Sequence, residues 1–247
     1  MSVGFGARAR VGQLYPSGGL CDYELQMMAP AGVQVLTTRM AFRGTSVADD
    51  LALVDDLEAH ARLLADAEVD LIVFNCTAAS LLVGPAEIRR RIHEATGIGS
   101  ITTIEAVEAA LHHLGVRRIA LLNPYPEDVE AHEVEHLHGL GFEVVATAGP
   151  SCATPVEQAG IPPEEWVRLA GGLATAGADG VLISCAGTRT AEAIATIEEL
   201  TGLPVVTSNQ ALVRHVLTTL EVEPVSPGYG SLLSPASPTT PTERMVS

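Results

Sequence analysis

Short apolar runs alternate with longer amphipathic stretches along most of the chain. The apolar runs are Val11–Tyr15, Val33–Thr38, Leu71–Asn75, Ser100–Thr103, Arg118–Leu122, Glu143–Thr147, Gly180–Ser184 and Pro204–Thr207. They are short and rich in β-branched residues, which predicts strands. The stretches between them carry apolar residues at helical spacing. In Asp49–Glu68, Leu53, Leu57 and Leu64 fall on one stripe with nearby alanines. Pro85–Thr96, Glu105–Leu114, Pro126–Leu140, Pro163–Ala176, Arg189–Thr201 and Asn209–Leu220 follow the same rule and predict helices. Strands that alternate with helices predict an α/β fold with parallel sheets covered on both faces.

The pattern also repeats. Asp70-Leu-Ile-Val-Phe-Asn-Cys76 aligns with Asp179-Gly-Val-Leu-Ile-Ser-Cys185. Thr96-Gly-Ile-Gly-Ser-Ile-Thr-Thr103 aligns with Thr201-Gly-Leu-Pro-Val-Val-Thr-Ser208, and Gln13-Leu-Tyr-Pro16 aligns loosely with Leu121-Leu-Asn-Pro124. An internal duplication predicts two pseudo-twofold-related lobes, each a mostly parallel four-stranded sheet flanked by helices, with a cleft between them. The expected division is residues 1–114 and 115–233, with the last strand and helix of each half as candidates to cross to the other lobe. Residues 234–247 form a Ser/Pro/Thr tract without periodicity, expected to be a disordered tail.

Composition narrows the chemistry. The net charge is −16, from 14 basic and 30 acidic residues, which argues against a nucleic-acid partner. Every basic residue is arginine. Without lysine there is no lysine Schiff base to pyridoxal phosphate and no P-loop lysine. No apolar run approaches the roughly 20 residues of a membrane span. Met1 to Arg10 lack the apolar segment of a secretory signal, so the expected location is the cytoplasm, away from membranes. The four cysteines, Cys21, Cys76, Cys152 and Cys185, form no C-x-x-C pair, which argues against structural zinc or a thioredoxin-like motif. Gly4-Phe-Gly6-Ala-Arg-Ala9 fits a dinucleotide loop in letters but precedes its strand instead of following it. His132, His136 and His138 read as a solvated helix face before they read as metal ligands. No cofactor and no metal are expected.

The chemistry concentrates on Cys76 and Cys185. Each ends a predicted strand and is followed by small residues and then a predicted helix: Cys76-Thr-Ala-Ala-Ser80 and Cys185-Ala-Gly-Thr188. Ligands of open α/β sheets bind at the carboxyl ends of the strands. Free N–H groups at a helix start favour a thiolate and can hold a carboxylate. One of the two thiols is therefore expected to ionise below the ordinary ~8.5. The competing view makes both cysteines small buried core residues, and their matched placement in a repeat counts against it. Two lobes and a cleft also describe a small-ligand binding module, which has no need of paired thiols. Cys21 is expected to pack beside the cleft, and Cys152 to lie in a loop.

The segments Tyr15-Pro-Ser-Gly-Gly19, Asn75-Cys-Thr-Ala-Ala-Ser80, Asn123-Pro-Tyr-Pro-Glu127, Ile183-Ser-Cys-Ala-Gly187 and Pro227-Gly-Tyr-Gly230 resemble the aspartate/glutamate racemase superfamily. The similarity is greater to its branch of maleate cis-trans isomerases and arylmalonate decarboxylases, and it extends to about Leu233. It implies a cofactor-independent isomerase or racemase of a small carboxylate or dicarboxylate, with Cys76 adding to the substrate and Cys185 moving a proton. Ser17 and Gly18 in the first loop, with Thr77, Ala78, Tyr125, Ala186 and Gly187, are the positions implied to line the substrate. A homodimer is the candidate assembly. Arylmalonate decarboxylases have glycine where Cys76 stands, so decarboxylation is the alternative. The chain departs from maleate isomerases at Gly18 or Gly19 and near Pro155, where they carry asparagines.

Overall fold

The computed structural model describes residues 4–173, 177–224 and 228–234. The first half runs β1 (Ala9–Pro16), α1 (Glu24–Met28), β2 (Val33–Met40), α2 (Val47–Ala52), α3 (Leu57–Ala65), β3 (Leu71–Phe74), α4 (Thr77–Val83), α5 (Pro85–Thr96), β4 (Ser100–Thr102) and α6 (Thr103–His113). The second runs β5 (Arg118–Leu122), α7 (Glu127–Gly139), β6 (Glu143–Ala148), α8 (Pro155–Gly160), α9 (Pro163–Leu173), β7 (Gly180–Ile183), α10 (Ile194–Thr201), β8 (Val205–Thr207) and α11 (Ser208–Thr219). A short 3-10 turn, Ser231–Leu233, closes the described chain. The expected tail beyond Ser234 and the last turn of the Pro163–Ala176 helix lie outside the described residues.

The strands form two parallel four-stranded sheets with the same order, β2-β1-β3-β4 and β6-β5-β7-β8. Every residue of β3 and β7 is buried, as expected where helices cover both faces. β4 pairs with β3 and β8 with β7, so neither last strand changes sheet. The last helix does reach across. Val213, Val216 and Leu217 of α11 adjoin Val11, Leu25, Val33 and Val35 of the first half, and α11 also packs along α6. One apolar core runs from Val11 and Val73 in the first sheet to Ile119, Leu182 and Val206 in the second. The halves therefore share a core instead of each closing its own.

Two helix expectations need correction. The Asp49–Glu68 stretch is two helices. α2 starts early on a capping box between Ser46 and Asp49, and the chain turns over Leu53–Asp56 before α3 begins. The break lets α2 pack on α4 while α3 packs on α5 and β2. The helix expected from Arg189 starts only at Ile194. The Thr190 and Ala191 N–H groups instead donate to the buried Glu24 carboxylate on α1, at 2.7 and 2.9 Å, which holds this segment as a turn.

Candidate active site

Each sheet ends in a cysteine at the same cleft. Cys76 follows β3 and is the N-cap of α4, in an extended conformation with φ −147°. Cys185 follows β7 and has φ +100°, a region that non-glycine residues rarely occupy. It starts a turn, not the expected helix. The turn is held by Thr188, whose hydroxyl donates to the Cys185 carbonyl at 2.8 Å, and by Cys21, whose thiol donates to the Gly187 carbonyl at 3.2 Å. Tyr15 reaches over from β1, donating to the Ala186 carbonyl at 3.3 Å and accepting from the Cys21 N–H at 3.0 Å. Gly19 makes room for it, because a Cβ there would stand 2.6 Å from the Tyr15 ring.

A buried polar network ties the two cysteine loops together. The Thr77 hydroxyl donates to Ser208 Oγ at 2.8 Å, and the same oxygen accepts the Cys185 N–H at 3.1 Å. Asn75 donates to Asn209 Oδ1 at 3.0 Å. The Asn209 amide donates to the Ala186 carbonyl at 3.1 Å and to Glu24 at 2.9 Å. Ser208 and Asn209 open α11, which Thr207 caps through a reciprocal capping box with Gln210. Because these groups are buried and partnered, they fix the cysteine loops relative to each other.

The cleft together with the open solvent at its mouth comprises about 390 Å³ of atom-free space. Its wall combines apolar faces from Pro16, Phe42 and Pro155 with polar groups from Thr45, Asp50 and Gln158, beside the two cysteines. Of the positions expected from the sequence, Thr77, Ala78, Tyr125, Ala186 and Gly187 line it with Cys76 and Cys185. Ser17 and Gly18 do not, although their neighbours Pro16 and Gly19 do. Ser17 instead exchanges hydrogen bonds with the Phe42 backbone, and at Gly18 a Cβ would collide with the Phe42 carbonyl and crowd Pro155. These two shape the loop over the cleft. The Thr45 hydroxyl donates to the Cys152 carbonyl at 2.7 Å and joins the loops on the two sides. The sequence reading missed Asp50, Thr45, Phe42 and Gln158.

Burial governs the electrostatics. Cys76 and Cys185 are each 7% exposed. Burial raises the Cys76 thiol well above its ordinary range, and the neighbouring Asp50 carboxyl raises it further. Burial also raises Cys185, opposed by the Gly187 N–H, which donates to its sulfur at 3.3 Å. The expected low-pKa thiol is therefore not found: the short α4 start does not offset desolvation. The acidic groups that titrate near neutrality are carboxyls. Burial pushes Asp50 up to about 7 and Glu133 up to about 7. Glu133 accepts from the Ser184 hydroxyl, directly before Cys185, and its other oxygen has no partner. The Tyr125 hydroxyl is buried at the cleft wall within reach of Ser184 and Cys185, and its hydrogen bonding favours the ionised Cys185 sulfur against burial.

The remaining candidates are peripheral. Cys21 is raised to about 12, first by burial and then by Glu24, and serves the Gly187 turn. Cys152 packs in the core under the second sheet. His136 meets Glu108 at 2.7 Å, and among the described residues no group of three or more His, Cys, Asp or Glu is placed to hold a metal.

The family model of arylmalonate decarboxylase matches residues 14–233. A maleate isomerase from Pseudomonas putida is 29% identical over 244 residues, 92% of this chain and 98% of the relative. An arylmalonate decarboxylase from Bordetella bronchiseptica is 31% identical over 168 residues, 65% of this chain and 69% of the relative. Among solved structures, a cysteine-to-serine mutant of the Nocardia farcinica maleate cis-trans isomerase, with a covalently bound succinylcysteine intermediate, superposes with a TM-score of 0.84. Its identity is 22%, and the match covers 91% of this chain and 98% of that one.

Proposed function

The chain belongs to the arylmalonate decarboxylase family, and on that premise we propose that it is a cofactor-independent cis-trans isomerase of a small unsaturated dicarboxylate of the maleate type. The observation that carries this reading is the pair of buried thiols, Cys76 and Cys185, brought from two sheets to one cleft. The maleate isomerase relative, nearly full-length in its match, supports the substrate class. As the Cys76 thiol proton passes to a neighbouring base, its sulfur adds to one alkene carbon, and the π pair moves to the other, which takes the Cys185 proton. The former double bond is then single and rotates. Cys185 removes the proton again, the double bond re-forms, and the carbon–sulfur bond breaks to release the trans isomer. The first-turn N–H groups of Thr77 and Ala78, both at the cleft wall, lack intrahelical carbonyls and would hold a substrate carboxylate. Tyr125, which also lines the cleft, donates its hydroxyl to the same group. The four cysteines are unpaired, which suits a reducing cytosol. Among the described residues no helix is long and apolar enough to cross a membrane.

A second reading, decarboxylation of a substituted malonate, is favoured by the apolar wall of Pro16, Phe42 and Pro155, which would desolvate a departing carboxylate. Cys76 counts against it, because it puts a second acidic group in that space. Proton NMR of a dicarboxylate panel in D₂O separates the two. Conversion of maleate to fumarate without added cofactor is expected. Release of CO₂ from a substituted malonate, with no isomerisation or α-proton exchange in the panel, would overturn the isomerase reading.

A further inference from the structure

Asp50 takes no part in the capping of its own helix. The capping of α2 falls to its neighbour Asp49, which exchanges hydrogen bonds with Ser46 at the exposed helix start. Asp50 turns inward instead, is 2% exposed and lines the cleft. Its carboxylate accepts from the Cys76 thiol, with Sγ 3.7 Å from Oδ1. Among the described residues no arginine or histidine forms an ion pair with it. The titratable groups around it are Asp49 on its own helix, Cys76 on α4, Asp128 on α7 and Cys185 across the cleft, all acidic. A buried carboxylate without a cation is costly, and it is relieved chiefly by taking a proton. A proton source stands beside it in the Cys76 thiol.

We propose that Asp50 is the catalytic proton acceptor for Cys76. This rests on the isomerase reading for its substrate, and for the proton transfer on the Asp50–Cys76 contact and the burial of the carboxyl. As the Cys76 S–H bond breaks, its proton passes to Asp50 Oδ1, and the sulfur electron pair forms the bond to the alkene carbon. On elimination the sulfur leaves with that pair and takes the proton back from Asp50. Negative charge never rests on both groups at once, and no outside base is required. A carboxyl raised to about 7 is poised for this exchange near neutral pH.

The test follows Cys76 directly, by mass spectrometry of its peptide after timed treatment of the intact chain with iodoacetamide between pH 5 and 10. With Asp50 as acceptor, the native rate falls as pH drops through about 7, because a protonated Asp50 cannot take the thiol proton. Asp50→Asn is expected to lose that inflection and to slow Cys76 alkylation at pH 8 by about tenfold or more, while Asp50→Glu retains an inflection. If Asp50 only repels a thiolate, Asp50→Asn alkylates faster at every pH, and the proposal is overturned. It is also overturned if the native protein itself shows no inflection, a result that needs no variant. Maleate turnover is assayed on the same samples. An Asp50-dependent alkylation profile without maleate turnover supports the acceptor role and rejects the substrate reading, so the two failures are distinct.

Discussion

Cys76 and Cys185 reach one cleft by different backbone routes, one as an extended helix cap and the other at φ +100°. If they share the chemistry, Cys76→Ser and Cys185→Ser should each reduce turnover by about 100-fold or more, since a hydroxyl is a far weaker acid and nucleophile. Steady-state assays with circular dichroism check this. A loss below about tenfold in either folded variant contradicts a two-thiol mechanism. The pair was legible in the sequence because a repeat places both at strand ends. Their ionisation was not. A helix start read from Thr77-Ala-Ala-Ser80 suggests a lowered pKa, whereas burial, visible only once both sheets and their helices close over the sulfurs, pushes both thiols up. Asp50 was hidden for a related reason. Ala48-Asp-Asp-Leu51 reads as two solvated acids at a helix start, and the side that faces inward is decided by the break after Ala52.

The strands were the most legible elements, because parallel strands buried on both faces are nearly continuous apolar runs. Each expected strand is present within a few residues of its expected bounds. Helices α1, α4 and α8 have only 5, 7 and 6 residues, too few to display a helical period. The delayed start of α10 depends on Glu24, distant in sequence, and no local pattern reports it. The same long-range contacts make the start of α11 sensitive. Asn209→Ala would leave the buried Asn75 amide unpaired and take one of two hydrogen bonds from each of Glu24 Oε2 and the Ala186 carbonyl, which keep Thr190 and Tyr15. A buried group left unpaired costs roughly 1–3 kcal/mol. The expected outcome is a lower urea midpoint with unchanged m-value, a loss of about 2–4 kcal/mol. The cysteine loop is anchored by the same amide, so kcat/KM should fall as well. Thr218→Ala, on the exposed end of that helix, removes a single hydrogen bond to Arg214 and should change stability by less than about 0.5 kcal/mol. Equal effects from the two substitutions would show that the buried network does not anchor the lobes.

At the scale of the molecule, a chain with net charge −16 keeps three carboxyls, Glu24, Asp50 and Glu133, in its interior without ion pairs among the described residues. Burial raises the pKa of each, with Asp50 and Glu133 at about 7. At these three groups the folded protein binds protons more tightly than the unfolded chain, while His215, lowered by burial, works singly in the other direction. The contribution of such a raised carboxyl is full below its unfolded value, 4.5 for Glu133, and is lost as pH rises through about 7. Stability should fall from pH 5 to pH 8, with Glu133 accounting for at most about 3 kcal/mol. Repulsion among surface carboxylates acts in the same direction, but salt separates the two. At about 1 M salt the screening length is roughly 3 Å, so surface repulsion fades while the cost of ionising a buried carboxyl persists. Urea unfolding at pH 5 and pH 8 in high salt should thus retain a drop in the native chain. Glu133→Gln keeps the shape and an acceptor for the Ser184 hydroxyl but cannot ionise, so the drop should shrink. If the variant and the native chain lose the same stability between the two pH values, Glu133 does not carry the raised pKa, and the fall belongs to Asp50, Glu24 or the surface.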